Sequence, residues 1–149
     1  MEDVLVGISP SKLEEAITLL SNADTIFVQG VRRAYPIASY LWYMLLKGDS
    51  KVELVDSVGG MRAPMLKQIK KDDVLLITTF KPHAQESIDA IERAHKVGAK
   101  IVAITDNQMS EHGRKADLSF EIIENDVIEF RSLTSAMFIA QTIAVGLML

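Results

Sequence analysis

The stretch Thr25-Ile26-Phe27-Val28-Gln29-Gly30-Val31-Arg32-Arg33-Ala34 joins an apolar run to the start of a helical pattern. An apolar run before a glycine is typical of a buried strand, and the periodicity of residues 34–47 predicts a helix that ends at Gly48. A strand, a glycine turn and a helix start bring backbone N–H groups and the positive end of a helix dipole together. Because Arg32 and Arg33 add two guanidinium groups there, the stretch predicts an anion-binding site.

The rest of the chain alternates strand and helix patterns in the same way. Further strands are predicted at 51–55, 73–79, 100–105 and 118–123. Further helices are predicted at about 10–21, 63–69, 83–97, 110–115 and 132–149. Consecutive apolar residues within 73–79 indicate a strand that is covered on both faces. The pattern predicts an α/β fold, a three-layer α-β-α sandwich around a five-stranded parallel sheet of order 2-1-3-4-5.

Length and composition favour one globular domain. The chain has 149 residues, of which 48% are hydrophobic and 24% charged, and no linker or repeat divides it. We expect a single domain over 1–149, with 1–21 as an N-terminal helical lead-in. The absence of cysteine excludes disulfides, thiolate metal sites and cysteine nucleophiles, and it fits a reducing compartment, so we expect a cytoplasmic location.

Charge and hydropathy bear on the partners. A net charge of −4 disfavours binding to phosphate backbones or anionic membranes by the domain itself. Residues 1–4 lack the basic and apolar regions of a signal peptide. The apolar run 133–149 barely reaches spanning length and contains Thr134, Ser135, Gln141 and Thr142, so we predict a buried or interface helix and no membrane span.

The common cofactor and metal motifs are missing. A dinucleotide fingerprint fails because Arg32 and Tyr35 stand where its second and third glycines belong. The Gly-Lys-Ser/Thr of a phosphate loop is absent, and three scattered histidines match no metal-ligand spacing. We therefore expect neither a cofactor nor a metal.

In a parallel sheet of this order the ligand lies beyond the carboxyl ends of the strands, between the first and third. The loops there are 30–34 and 79–83, which adds Lys81 and His83 to the two arginines and offers the Thr79 hydroxyl. Ser57, after the second strand, is a further candidate, although Ser57 and the glycines after it are also ordinary turn residues. The alternative is that one arginine is solvated while the other pairs with a carboxylate such as Glu86 or Asp56.

A sugar isomerase would need a base that moves a proton between adjacent carbons. The nearby candidates are His83, Glu86, Glu111 and His112, but a solvated surface position explains all of them except His83 equally well. No acid and base pair stands out, so we assign no catalytic residue.

Several motifs resemble the sugar isomerase (SIS) domain, and more closely the effector domain of RpiR-type transcriptional regulators. They are Gly30-x-x-x-Ala34, Thr79 with Glu86, Phe80-Lys81-Pro82-His83, the run from Gly98 to Asp106 followed by Ser110, Lys115-Ala116-Asp117, and Phe130-Arg131-Ser132. The resemblance covers roughly residues 13–149 and implies a flavodoxin-like SIS fold that binds a sugar or sugar phosphate.

In SIS domains a G-x-G-x-S turn and a S-x-S-G-x-T loop hold the phosphosugar. Thr79 matches the first hydroxyl of that loop, while Lys81, Pro82 and Ala84 replace its second serine, glycine and threonine. In the turn, Arg32 and Ala34 replace the second glycine and the serine. Because cations replace most of the usual neutral hydroxyls, an acidic sugar or another small carboxylate is an alternative ligand to a sugar phosphate.

The resemblance implies an effector domain that senses an anionic carbohydrate, with Gly30, Arg32, Arg33, Ser57, Thr79, Lys81 and His83 at the site. A stand-alone phosphosugar isomerase is the alternative, and a dimerising domain with an inactive pocket is a third. The family implies a helix-turn-helix domain that we do not find, so we expect DNA contact only through a separate domain. We also expect a homodimer or tetramer, since apolar residues surround the helix at 132–149 so completely that one sheet face cannot cover them.

Overall fold

The computed structural model describes residues 8–106, 111–122 and 133–149. Within these ranges the strands are β1 (Ile26–Gly30), β2 (Val52–Leu54), β3 (Val74–Thr79), β4 (Lys100–Thr105) and β5 (Leu118–Glu121). The helices are α1 (Pro10–Ser21), α2 (Tyr35–Lys47), α3 (Arg62–Leu66), α4 (Gln85–Val97) and α5 (Thr134–Met148). Single 3-10 turns lie at Arg32–Ala34, Val58–Gly60 and Gly113–Lys115. All strand pairs are parallel in the order β2-β1-β3-β4-β5, which confirms the predicted sheet.

Alternate residues of the strands face two apolar cores, one on each side of the sheet. Val28, Leu76 and Ile104 lie in the core that α1, α2 and α5 cover. Leu75 and Ile101 lie in the opposite core, which α3 and α4 cover. Because consecutive side chains of a strand point to opposite faces, a strand buried on both sides needs an unbroken apolar run. The predicted three-layer sandwich is therefore confirmed.

The element boundaries differ little from the predicted ones. β4 has the predicted bounds, whereas α4 begins at Gln85 because the preceding Ala84 is still extended. Segment 110–115 is not the predicted short helix, since its described part holds only the turn Gly113–Lys115. Ser110, Ile123 and the Phe130-Arg131-Ser132 motif lie outside the described residues.

α5 is covered mainly within the chain. It packs against α1 and α2, and its buried residues are Ala136, Ile139, Ala140, Ile143 and Ala144. Gly146 lies directly against Ile17 of α1, so the two helices approach closely. Two neighbouring helices thus cover much of α5, while Val145 and Met148 stay about half exposed, so the expected homodimer or tetramer stays a prediction. No helix in the described ranges is long and apolar enough to span a membrane.

We predict that Gly30→Ala destabilises the fold. A Cβ at Gly30 would lie 2.6 Å from the Ala34 carbonyl oxygen and 3.0 Å from the Ala38 Cβ, so backbone would have to move. We expect the free energy of unfolding, measured with urea, to fall by about 1–3 kcal/mol.

Gly48→Ala is the matched control for this prediction. The nearest atom to its added Cβ is the Met148 Cγ at 3.1 Å, which belongs to a flexible side chain. The control should change the free energy of unfolding by less than about 0.5 kcal/mol. An equal loss of unfolding free energy in Gly30→Ala and Gly48→Ala would contradict the inference that the backbone at Gly30 has no room for a Cβ.

Candidate functional site

The carboxyl ends of β1, β3 and β4 are aligned, which brings three segments of the chain together. Gly30 is opposite Thr78 in the β1–β3 pair, and Thr79 is opposite Thr105 in the β3–β4 pair. The segments that follow these strands therefore leave the sheet side by side, at the edge where parallel sheets bind ligands.

The turn after β1 is tight and partly strained. Gly30 allows the backbone of Ala34 to pass close by, and Arg32 has a φ of 55°, in the left-handed region. For a residue with a Cβ this conformation costs about 1–2 kcal/mol relative to right-handed backbone. The turn leaves Arg32 exposed and Arg33 half-buried at this edge of the sheet. Strain of this kind is often retained where a side chain has a functional role.

Asp106 connects all three segments at this edge. Its carboxylate accepts the Lys81 backbone N–H at 3.2 and 3.0 Å, and it lies 3.9 Å from the Arg33 Nη2. The Arg33 guanidinium also stacks on Phe80, 4.2 Å from the ring centroid. The expected carboxylate partner of an arginine is thus present, but it is Asp106 and not Glu86 or Asp56.

A crevice of about 200 Å³ opens between the turn after β1 and the loop after β3. Its walls are Val31, Arg32, Arg33, Ala34, Thr79, Phe80, Lys81, Pro82, Ala84 and Ser87. The first turn of α4 adjoins it, so the positive end of that helix dipole faces the same space. The walls include three cationic residues and two hydroxyl residues, Thr79 and Ser87, a combination that is suited to an anion.

Thr79 lies on the boundary between this crevice and a smaller enclosed niche. Its Oγ1 is 2.8 Å from the His83 Nδ1. The niche has a volume of about 10 Å³, and Thr79, His83, Ser87 and His112 are among its walls. A space of this size holds about one water molecule. Thr79 is the one predicted site residue that reaches both cavities.

His83 is held in its neutral form by its surroundings. Burial lowers the pKa of His83, and the charges of His112 and Lys81 lower this pKa further, while Asp106 raises it. In the described residues, the buried His83 Nε2 has no hydrogen-bond partner. Neither ring nitrogen faces the crevice, since Nδ1 is bonded to Thr79 and Nε2 is buried.

The predicted site residues do not all lie at the crevice. Arg32, Arg33, Thr79 and Lys81 line the crevice, and His83 lines the niche behind it. Gly30 lines neither cavity but makes room for the turn. Ser57 is also absent from both linings, and its hydroxyl accepts from the Arg62 Nε at 3.2 Å and Nη2 at 2.8 Å.

The model of the SIS domain family matches residues 19–149 of the chain. The chain belongs to the SIS domain family. The resemblance seen in the sequence is thereby confirmed, and the match covers all five described strands and every residue that lines the crevice.

Solved structures of SIS domains have the same fold. The sugar isomerase domain of an RpiR transcription factor from Sphaerobacter thermophilus has a TM-score of 0.90 at 18% identity, over 98% of this chain and 82% of that one. The Vibrio vulnificus NanR protein complexed with ManNAc-6P has a TM-score of 0.83 at 18% identity, over 98% of this chain and 56% of that one. A Methanococcus jannaschii protein, whose structure infers a 3-hexulose-6-phosphate isomerase, scores 0.68 at 22% identity, over 92% and 72% of the two chains.

None of the acid and base candidates of this SIS domain lines the crevice, although His83 and His112 both line the niche. Glu111 is exposed, and Glu86 is not among the residues that line the crevice. Of the two, only the Glu86 backbone has a described role, since its carbonyl accepts the Gln29 Nε2 at 3.0 Å and ties α4 to β1. Among residues 8–106, 111–122 and 133–149, no cluster of three metal-ligating side chains occurs.

Sequence reasoning missed Asp106, Ser87 and Gln29. Asp106 directly follows β4, just as Gly30 ends β1 and Thr79 ends β3. Its position in the sequence could therefore have indicated that it lies at the same edge of the sheet. Ser87 and Gln29 gave no such signal, because a serine in a helix and a glutamine in a strand are usually solvated. In this structure the Ser87 and Gln29 side chains are both buried.

We predict that Asp106→Asn lowers the pKa of His83 further. The Asp106 carboxylate stabilises the imidazolium and raises the pKa of His83, so its neutralisation should lower this pKa. A ¹H–¹⁵N NMR titration of His83 measures the shift. Asp49→Asn is the control, since Asp49 lies at the opposite edge of the sheet with a φ of 67° that asparagine tolerates. An unchanged His83 titration in Asp106→Asn would disprove that the Asp106 carboxylate acts on this pKa.

Proposed function

We propose that this SIS domain is the effector-binding domain of a transcriptional regulator and that it senses a sugar phosphate or an acidic sugar. The observation that carries the proposal is the crevice, where Arg32, Arg33 and Lys81 surround a threonine hydroxyl. Among the described residues that line the crevice, cationic side chains are present and carboxylates are not, so these walls carry an excess of positive charge. A small anion is the ligand that this excess attracts.

The chemistry of the walls supports an anionic carbohydrate over a neutral one. Guanidinium groups bind phosphate or carboxylate oxygens in pairs, and Lys81 provides a point charge. Thr79 offers one directional hydrogen bond at the base of the crevice. The similar solved structures include the NanR protein complexed with ManNAc-6P, which favours a phosphorylated sugar as the first ligand to test.

A phosphosugar isomerase is the second candidate function. It is favoured by the similarity to a protein whose structure infers a 3-hexulose-6-phosphate isomerase, and by a neutral imidazole close to the crevice. The buried Nε2 and the bonded Nδ1 of His83 speak against it, because a general base needs a nitrogen within reach of the substrate. Aldose–ketose conversion that is lost in both His83→Ala and Glu86→Gln would establish the enzyme.

The regulator proposal extends to partners and location. We infer that DNA contact belongs to a separate domain, since the net charge of −4 disfavours contact through this one. A cytoplasmic location and a homodimer or tetramer complete the proposal. Duplex DNA that shifts in a gel with residues 1–149 alone, in a salt-dependent manner, would contradict it.

We predict that sugar phosphates or sugar acids stabilise the protein in a thermal-shift panel, while the parent neutral sugars do not. A ligand at 100 times its dissociation constant stabilises by about 2.7 kcal/mol. Arg32→Gly should weaken the best hit by about 1.5–3 kcal/mol, which is the range for a hydrogen bond to a charged group. Its free energy of unfolding should stay within about 1 kcal/mol of wild type, because glycine accepts a φ of 55° without strain.

Asp49→Gly is the matched control for Arg32→Gly. Asp49 also has a positive φ, 67°, but lies at the far edge of the sheet. The control should bind the best hit with wild-type affinity, which separates lost charge from altered backbone. Unchanged affinity in Arg32→Gly and in Lys81→Ala would locate the anion site elsewhere.

We predict self-association through the ends of α2 and α5. Tyr43, Leu46, Val145 and Met148 are each about half exposed, and Gly48 brings the two helix ends into contact with one another. Leu46→Lys should shift the sedimentation velocity toward the monomer. Val58→Lys, the same kind of change at a residue 74% exposed in a separate loop, should leave it unchanged. A wild-type protein that is monomeric at all concentrations would refute self-association.

A further inference from the structure

Two acceptors can compete for the single proton of the Thr79 hydroxyl: a bound anion and the His83 Nδ1. Thr79 lines the crevice, and its Oγ1 is 2.8 Å from Nδ1. A hydroxyl donates one hydrogen bond and accepts up to two. Because a bound anion offers only acceptors, Thr79 can donate to it only when the proton between Thr79 and His83 is carried by Nδ1.

The environment of His83 permits this arrangement. His83, Ser87 and His112 all line the niche, and the His83 Nε2, the Ser87 hydroxyl and the His112 Nδ1 are buried without a hydrogen-bond partner among the described residues. The niche has room for about one water molecule, which can either donate to Nε2 or accept from Nε2–H. Nδ1 is therefore free to carry a proton in both the neutral and the charged ring.

We propose that His83 is a positioning residue of the anion site, which donates Nδ1–H to the Thr79 oxygen and thereby commits the Thr79 hydroxyl proton to the bound anion. Binding is coupled to proton uptake, since the imidazolium always carries Nδ1–H and adds a positive charge behind the crevice. The inference rests on the proposed anion-binding function and adds to it a regulation by pH.

The charged groups around His83 set the direction of this coupling. Asp106 follows β4, His112 precedes β5, and Lys81 lies on the loop of His83 itself. Arg33 reaches Asp106 and shares its negative charge. These groups and burial leave His83 neutral in the free protein at neutral pH, because its pKa is lowered. A bound anion favours the imidazolium and raises this pKa, so the affinity for the anion increases as the pH falls.

The test uses inorganic sulfate, whose own charge is constant over the range in which histidine titrates. Isothermal titration calorimetry at constant ionic strength, between about pH 5.5 and 8, gives the dissociation constant, and buffers of different ionisation enthalpy give the protons taken up. We expect the affinity of the wild-type protein to rise as the pH falls, by at most about tenfold per pH unit, the limit for one linked proton.

Two substitutions separate the donor from the charge. In His83→Asn the side-chain amide takes the place of Nδ1–H as a permanent donor, so sulfate should bind with an affinity that is independent of pH. His83→Leu has no donor and should bind at least about fivefold more weakly than His83→Asn, also without pH dependence. His95→Asn, at an exposed position of α4, is the control and should keep the wild-type pH profile.

A readout on the wild-type protein covers the case in which the His83 variants do not fold. The ¹⁵N shifts of the imidazole report which nitrogen carries the proton, and with sulfate bound they should show a protonated Nδ1. An unprotonated Nδ1 in the complex, a pH-independent wild-type affinity, a pH dependence that persists in His83→Asn, or equal affinities of the Asn and Leu variants would each overturn the inference.

A different experimental result would disprove the proposed function itself. A wild-type protein that binds neither sulfate at any pH nor any anion of the sugar panel has no anion site, and the inference falls with it. A protein that binds sulfate equally well at every pH retains the anion site and loses only the role of His83.

Discussion

The mutual repulsion of Arg32, Arg33 and Lys81 is the constraint on which the crevice depends. Like charges gathered at one crevice repel one another, although water screens the exposed side chains. The Asp106 carboxylate lies close enough to Arg33 to oppose this repulsion, and its side chain is only 8% exposed. It is bonded to the Lys81 backbone and paired with Arg33, so it fixes the loops while it offsets the charge. The remaining positive charge is what a bound anion would balance.

The sheet determines where these charges meet. In the parallel register Gly30 is opposite Thr78 and Thr79 is opposite Thr105, so the following segments emerge at neighbouring points of one edge. The apolar runs alone do not fix this register, because a shift by one residue would still bury each strand; such a shift would, however, misalign the turns at the strand ends. The glycine at position 30 then permits the tight turn that delivers Arg32 and Arg33 to the crevice.

The elements that the sequence predicted well are those whose pattern is local. The apolar run before Thr79 identified β3, and Gly48 and Gly98 marked the ends of α2 and α4. The order of the strands followed from the alternation of strand and helix and from right-handed crossovers. The two basic loops could be brought together on this basis alone, because topology assigns both to the same switch point.

The parts that could not be predicted depend on the paths of loops and on contacts between distant residues. The pairing of Arg33 with Asp106 joins positions 73 residues apart in sequence, and a carboxylate nearer in sequence, Glu86, was an equally reasonable partner. Ser57 was assigned to the site by its position after β2, whereas its hydroxyl accepts hydrogen bonds from Arg62. The apolar surface of α5 predicted a partner, and the partners include α1 and α2 of the same chain.

The replacement of hydroxyls by cations changes the kind of recognition that the site can perform. Small hydroxyl side chains hold a phosphate by short, directional hydrogen bonds, whereas Lys81 and the arginines carry their charges on long, flexible side chains, although a guanidinium can bind two oxygens of an anion at once. The rigid groups at the base of the crevice therefore add a fixed orientation. Thr79 is 7% exposed and bonded to His83, so it provides the fixed direction that the cations lack. The long side chains attract the anion, and the buried pair decides how it is held.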